Sequence, residues 1–258
     1  MERLPWKSFC YTFAMTEKHI VAGSGGFQYV NRVLRIGPLL EYAFKLSGKD
    51  RPNFCLLATA LGDDRRSISS FYDACSREKV QASHLELFPI PNHAHVEEFI
   101  LSQDVIWVAG GSVANLLAVW RVHGLDKLLQ KAWEKGIILT GQSAGSICWH
   151  VGGTTDSFGT DLQPITNGLG FLPYASGVHY DSEVQRRPLF QKLIGDGTLP
   201  EGYATDDGVN LHFIDVALHK AISDTASKFA YHVHRDEAGL VKEDKIEPQF
   251  LSNELVLG

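Results

Sequence analysis

No stretch of this 258-residue chain is apolar for long enough to span a bilayer, so a helical membrane protein is excluded. No run of lysine or arginine occurs, and 24 basic against 30 acidic residues leave a net charge of −6. Nucleic-acid and anionic-membrane surfaces need a basic patch to neutralise phosphate, so neither partner is expected. Cysteine is scarce: Cys10, Cys55, Cys75 and Cys148 are widely scattered, with no CxxC and no Cys/His ligand spacing. That scatter suggests neither a disulfide framework nor a zinc site, and it fits reduced thiols in the cytoplasm. The opening MERLPWKSFCYTFAMTEKHI carries charges on both sides of a short apolar stretch and lacks a signal-peptide layout. No repeat, low-complexity tract or Pro/Ser linker divides the chain. One domain over 1–258 is expected, with 1–18 as an N-terminal extension.

What is present is a set of four apolar, β-rich runs, each ending in small residues: HIVAGSGG (19–26), FCLLATALGDD (54–64), DVIWVAGGS (104–112) and GIILTGQSAG (136–145). Helical patterns lie between them. Over 113–136, Leu116, Leu117 and Trp120 precede a break at Gly124, and Leu128, Leu129 and Trp133 resume the helical spacing after it. Alternating strand and helix with continuous apolar strands predicts a parallel sheet covered on both faces. The strands' carboxyl ends then share one edge, where such sheets collect functional residues, and all four Gly-rich turns fall there. The carboxyl third reads differently. GVNLHFID, HKAISDT and KFAYHVHRD predict shorter strands in an antiparallel extension.

Gly141-Gln142-Ser143-Ala144-Gly145 fits G-x-S-x-G, in which a strained strand-to-helix turn projects a nucleophilic serine and its neighbours must be tiny. The same five residues also suit an ordinary compact turn. On the nucleophile reading, the Ala144 N–H points at the developing oxyanion, and Gly110-Gly111-Ser112 offers a second backbone donor. Serine needs a base within hydrogen-bond reach. His150 lies seven residues on, about 10 Å along a continuous helix, and is too distant. His179, in GLGFLPYASGVHYDSE, follows an apolar strand-like run and is better placed. A carboxylate to orient the imidazole is offered by Asp156 or Asp161 in GGTTDSFGTDL, though either also suits a turn cap. GSGGF lacks the third glycine of a dinucleotide fingerprint and the Lys-Ser/Thr of a P-loop. His232 and His234 alternate on a predicted strand, and packing is favoured over metal binding there because no carboxylate accompanies them. Asp206-Asp207-Gly208 reads as a turn before a strand, with a role in shaping the pocket as the alternative.

WVAGGSVANLL, GIILTGQSAGSICW, TTDSFG, NGLGFLP and HYDSE, in this order, resemble the serine peptidase family of peptidase E (aspartyl dipeptidase) and cyanophycinase. The likeness runs from about Ile20 to Phe213, and is greatest to bacterial peptidase E-like proteins carrying GGTTDSFG and ATDDG. It implies a flavodoxin-like α/β three-layer sandwich, akin to class I glutamine amidotransferases, with a mostly parallel sheet. It also implies Ser143 as nucleophile, His179 as base, and Gly111 and Ala144 as oxyanion donors. Asp156, after Thr154-Thr155, takes the place of the acid, with Asp161 in reserve, and Arg186 that of the arginine that holds a substrate carboxylate. The expected activity is cytoplasmic hydrolysis of small peptides, with N-terminal aspartate as one substrate type. It needs no metal or organic cofactor and is compatible with a homodimer. Two alternatives stand beside it: an α/β-hydrolase esterase, disfavoured by only 36 residues between Ser143 and His179, and a non-catalytic small-molecule-binding member of the amidotransferase-like fold.

Overall fold

The computed structural model describes residues 17–252, so the expected extension over 1–18 falls almost wholly outside the described residues. Strand β1 (His19–Gly23) is followed by a hairpin of β2 (Phe27–Val30) and β3 (Val33–Ile36), then helix α1 (Pro38–Leu46). The alternating part comprises β4 (Asn53–Leu57), α2 (Arg65–Cys75), β5 (Gln81–Leu85), α3 (Val96–Leu101) and β6 (Val105–Val108). It continues with α4 (Val113–His123), α5 (Leu125–Glu134), β7 (Ile138–Gln142) and the short α6 (Ala144–Ile147). Next come β8 (His150–Thr155), β9 (Gln163–Ile165), β10 (Leu172–Gly177), α7 (Arg186–Gly195) and β11 (Gly202–Thr205). Strands β12 (Val209–Ile214), β13 (Ala217–Ser223), β14 (Ala230–Arg235), β15 (Val241–Ile246) and β16 (Gln249–Phe250) complete the described chain.

Local chemistry sets these boundaries. Ser112 caps α4 by accepting from the Asn115 N–H, and Asp64 caps α2 by accepting from Ser67 N–H. Gly124, at φ 67°, ends α4 and starts α5 in a left-handed conformation that costs glycine little. Strand β6 is buried at every position, as a central parallel strand must be.

The large sheet has eight strands in the order β16-β13-β12-β1-β7-β6-β4-β5. β1, β7, β6, β4 and β5 are mutually parallel, while β12 and β13 extend the sheet in antiparallel fashion. Counting β4 first, β5-β4-β6-β7 follows the 2-1-3-4 order of a flavodoxin-like sheet, with β1 added from the other end of the chain. One face packs against α1 and α2 through Leu40, Phe54, Phe71 and Trp107. The other buries Leu116, Trp120, Leu129 and Trp149.

A second sheet departs from the expected small antiparallel extension. Its six strands run β15-β14-β11-β10-β8-β9, with β8, β10 and β11 parallel. Only β12 and β13 behave as predicted; β14 joins the second sheet. Strands β8 (HVGGTT) and β10 (LPYASG) lack hydrophobic alternation because close backbone approach governs them. A Cβ on Gly152 would lie 2.1 Å from Ile165 O, and one on Gly153 would lie 2.2 Å from Ser176 O.

Candidate active site

Ser143 stands between the end of β7 and the start of α6, with φ 56° and ψ −116°. A non-glycine residue at positive φ is strained and persists only where its surroundings fix it. Two glycines do so here. A Cβ on Gly141 would lie 2.1 Å from Gly145 O, and one on Gly145 would lie 2.1 Å from Val108 O. The elbow is therefore pressed against itself and against β6, which is why G-x-S-x-G admits nothing larger. The Ser143 N–H donates to Gly23 O at 3.0 Å, tying the elbow to the end of β1. Opening a helix, the Ala144 N–H has no intrahelical acceptor. Gly110 lies beside the hydroxyl: a Cβ there would be 3.3 Å from Ser143 Cβ and 3.9 Å from Oγ. Gly111 takes φ 127°, and its Cβ would strike Ala60 O at 2.4 Å. Ser112 N–H donates to that same carbonyl at 2.9 Å, so the Gly-Gly turn is pinned beside the serine.

His179 is also at positive φ, 53°, two residues beyond β10. Its N–H donates to Ser24 Oγ at 2.9 Å, and Ser24 follows Gly23 directly. Ser24 is buried and held by Thr205, with Oγ 2.7 Å from Thr205 Oγ1. The end of β1 thus anchors both the Ser143 elbow and the His179 backbone. Among the described residues, neither Ser143 Oγ nor His179 Nε2 makes a hydrogen bond.

The carboxylate against His179 is Asp207, not Asp156. His179 Nδ1 lies 2.6 Å from Asp207 Oδ1. A carboxylate accepts, so Nδ1 carries the proton of this contact, and the neutral ring in that tautomer has its lone pair on Nε2. The histidine is 18% exposed and the aspartate 44%. The topology explains the pairing: β10 and β11 are parallel neighbours, Gly177 opposite Ala204, and His179 and Asp207 each stand two residues past their strand. Asp207 N–H in turn donates to Asp181 Oδ1 at 2.9 Å, and Asp181 pairs with Lys228. Burial pushes the Asp181 carboxyl up, but the Lys228 ammonium and the Asp207 amide outweigh it and leave it below its usual range. The adjacent Asp206 is buried and accepts from Phe229 N–H at 3.0 Å, and desolvation raises its pKa.

The other expected residues lie elsewhere. Asp156 follows β8 and lines a separate cavity with Glu183 and Gln185, and neither it nor Asp161 bonds to the imidazole. Arg186 is 2% exposed, with Nε 2.7 Å from Glu183 Oε2 and Nη1 donating to Thr154 O. Enclosed in this way, its guanidinium has no free face for a substrate carboxylate. His150 is buried, and desolvation lowers its pKa to about 4. His232, His234 and Asp244 place one ligand atom each within 4.8 Å of one another, so they could hold a metal ion. The carboxylate lacking in the sequence reading comes from β15, whose Asp244 is opposite His232 in register.

Sequence reasoning missed Ser24 and Asp207 as site residues. Each had a local signal, a serine in a Gly-rich turn and an acidic turn after a short strand, but only the tertiary fold connects them to His179: the β10–β11 pairing for Asp207, and a hydrogen bond between the two sheets for Ser24. No helix among the described residues is long and apolar enough to cross a membrane.

Comparison with known proteins agrees with this architecture. The chain is 40% identical over 219 residues to the uncharacterized peptidase YgaJ of Bacillus subtilis (strain 168), covering 84% of this chain and 92% of that one. The crystal structure of a peptidase from an acI-B1 Actinobacterium superposes with a TM-score of 0.66 at 15% identity, covering 91% of this chain and 96% of the other. A protein described as a putative peptidase E from Listeria monocytogenes EGD-e gives a TM-score of 0.57 at 14% identity, covering 78% and 96%. At such identities the two structures speak for the fold. The profile of peptidase family S51 matches residues 19–221, and with an elbow serine on a flavodoxin-like sheet, this chain belongs to that family.

Proposed function

We propose that the protein is a serine peptidase that cleaves small peptides through an acyl-enzyme, with Ser143 as nucleophile, His179 as base and Asp207 as acid. One observation carries the reading: Asp207 occupies Nδ1 of an imidazole whose backbone is anchored, through Ser24, beside the strained Ser143 elbow. Nε2 removes the Ser143 proton as Oγ attacks the scissile carbonyl. The N–H groups of Gly111 and Ala144 hold the oxyanion, and Asp207 stabilises the imidazolium. The imidazolium then protonates the departing amine, and water activated by Nε2 resolves the ester. Hydrogen bonds between catalytic groups commonly tighten only on substrate binding, which accommodates the lack of a Ser143–His179 hydrogen bond among the described residues. No step calls on a metal or an organic cofactor. Cytoplasmic location belongs to the same proposal, and the buried Cys55, Cys75 and Cys148 suit a reducing setting. Selectivity for N-terminal aspartate does not, because Arg186 is enclosed.

Ser143→Ala tests the reading. Turnover of a dipeptide pool is expected to fall by at least ~3 orders of magnitude, and a fluorophosphonate should label the unaltered protein at Ser143 and leave the variant unlabelled. Near-full hydrolysis by the variant, or an inert Ser143 in a folded protein, overturns it.

A further inference from the structure

We infer that the cavity beside Ser143 is a specificity pocket for a large apolar or aromatic side chain flanking the scissile bond, an inference that rests on the peptidase reading above. The cavity holds about 400 Å³ and reaches Gly110 and Gln142, the residues touching and preceding the nucleophile. Its walls are Phe27, Leu56, Phe71 and Trp107. Three of these rings are locked together, with Phe27 edge-on to Trp107 at 5.5 Å and to Phe71 at 6.1 Å. Phe71 and Trp107 are buried in the core beneath the cavity, so this wall is rigid and preformed. The Gly25-Gly26 turn makes the arrangement possible: a Cβ on Gly26 would lie 2.0 Å from the Trp107 ring. With no side chain there, the turn lies flat on the indole and Phe27 swings into the wall.

The chemistry of this lining selects the ligand. The aromatic side of the cavity rewards apolar surface seated flat against it, while the opposite side, with Arg66, Ser67, Ser70 and Gln142, is polar. Among the described residues, the one cation lining the cavity is Arg66, an exposed residue on α2. Exposed at the rim, its charge is screened by solvent and salt. Ser67 and Ser70, also on α2, continue the polar edge with Gln142 and Tyr29. Flat rings over an aromatic wall gain contact area and edge-to-face attraction that small side chains cannot.

Two measurements test this independently of each other. The first is hydrolysis of peptide series varied on either side of the scissile bond. In one series kcat/KM for Phe, Tyr or Leu should exceed that for Ala by at least about tenfold, and should exceed that for Asp. Ser70→Phe, which fills the cavity from its polar edge, should erase the aromatic preference. Arg66→Ala should leave the aromatic preference in place. Equal rates for Phe and Ala in both series, or a preference for Asp that Arg66→Ala abolishes, overturns the inference. The second is binding of N-acetyl-phenylalanine amide against N-acetyl-alanine amide to Ser143→Ala protein, followed by saturation-transfer NMR with Ser70→Phe as competitor-free control. This reads the cavity even where no peptide is cleaved. Absence of labelling and hydrolysis with Phe-selective binding rejects the peptidase and keeps the pocket. Labelling at Ser143 without Phe-selective binding or hydrolysis does the reverse.

Discussion

The His179 amide donates to Ser24 Oγ at 2.9 Å, so the histidine is held by the residue that follows Gly23, the acceptor for the Ser143 amide at 3.0 Å. A base on one sheet and a nucleophile on another are registered through Gly23, the last residue of β1, and Ser24, which follows it. Ser24 is buried, and Thr205 Oγ1 and Thr205 O lie within 2.7 and 3.0 Å of its hydroxyl. Ser24→Ala therefore strips a half-buried amide of its acceptor, at a cost of about 1 kcal/mol. As a positioning residue, Ser24 should affect kcat more than KM, by about tenfold or more, since small misplacements of catalytic groups are expensive. Urea denaturation with steady-state kinetics checks both. Stability loss with kcat unchanged would assign Ser24 a structural role alone.

Asp207 and Asp156 make opposite predictions. Asp207→Asn keeps the shape at Nδ1 but presents the wrong hydrogen-bonding partner, and comparable changes elsewhere lower kcat by about 10⁴. Asp156→Asn should leave kcat within about twofold, because Asp156 lines a different cavity. Second-order rates of fluorophosphonate labelling distinguish the two without knowledge of the natural substrate. Slower labelling in Asp156→Asn than in Asp207→Asn would restore the order expected from sequence.

These two aspartates show what the sequence could carry. The elbow was legible because its constraints are local: Gly141, Ser143 and Gly145 lie within five residues, and their spacing alone encodes the crowding against Val108 O. The four parallel strands were legible for the same reason, each being an apolar run that stops at a glycine turn. Asp207 was not, because its role depends on β10 and β11 pairing in parallel, and both are short strands without alternation. Family resemblance favoured an aspartate after Thr155, where the side chain faces another cavity. Arg186 failed similarly: its charge suggested a substrate contact, but its place in the first turn of α7 turns it inward onto Thr154 O.

Gly145→Ala tests the crowding directly. Its Cβ would meet Val108 O at 2.1 Å, within strand β6, so neither backbone can yield cheaply. A loss of roughly 1–3 kcal/mol or more is expected from overpacking, together with loss of labelling at Ser143 as the elbow is displaced. Gly62→Ala, where a Cβ meets nothing within 4 Å although φ is +66°, should cost about 1 kcal/mol and leave labelling unchanged.

Acid should destabilise the fold before its carboxylates are neutralised. Burial lowers the pKa of His150 to about 4 and that of His212 to about 3, the latter also repelled by His19, His219 and Lys220. The unfolded chain takes up these protons near 6.5, so below that pH it binds more protons than the native state. Stability is fully present above pH 6.5 and falls as pH drops toward 4, by about 1 kcal/mol per pH unit for each histidine. Urea midpoints at pH 7, 6 and 5 should decline steadily. A flat profile over that range would show that both rings charge without unfolding.

Arg186 offers the sharpest contrast between a structural and a substrate-binding role. Its Nε pairs with Glu183 at 2.7 Å, its Nη1 donates to Thr154 O at the end of β8, and only 2% of the side chain is exposed. Removing one member of a fully buried pair strands the other and costs about 3–5 kcal/mol, but here only the arginine side is buried. Glu183 is 42% exposed and can turn to water, so the lower end of that range is expected for Arg186→Leu. Arg186→Lys restores the charge but not the planar fork, and should recover only part of the loss. KM for Asp-X dipeptides, measured below the unfolding transition, should be unchanged in both variants. A selective rise in that KM with an unaltered urea midpoint would return the arginine to the substrate.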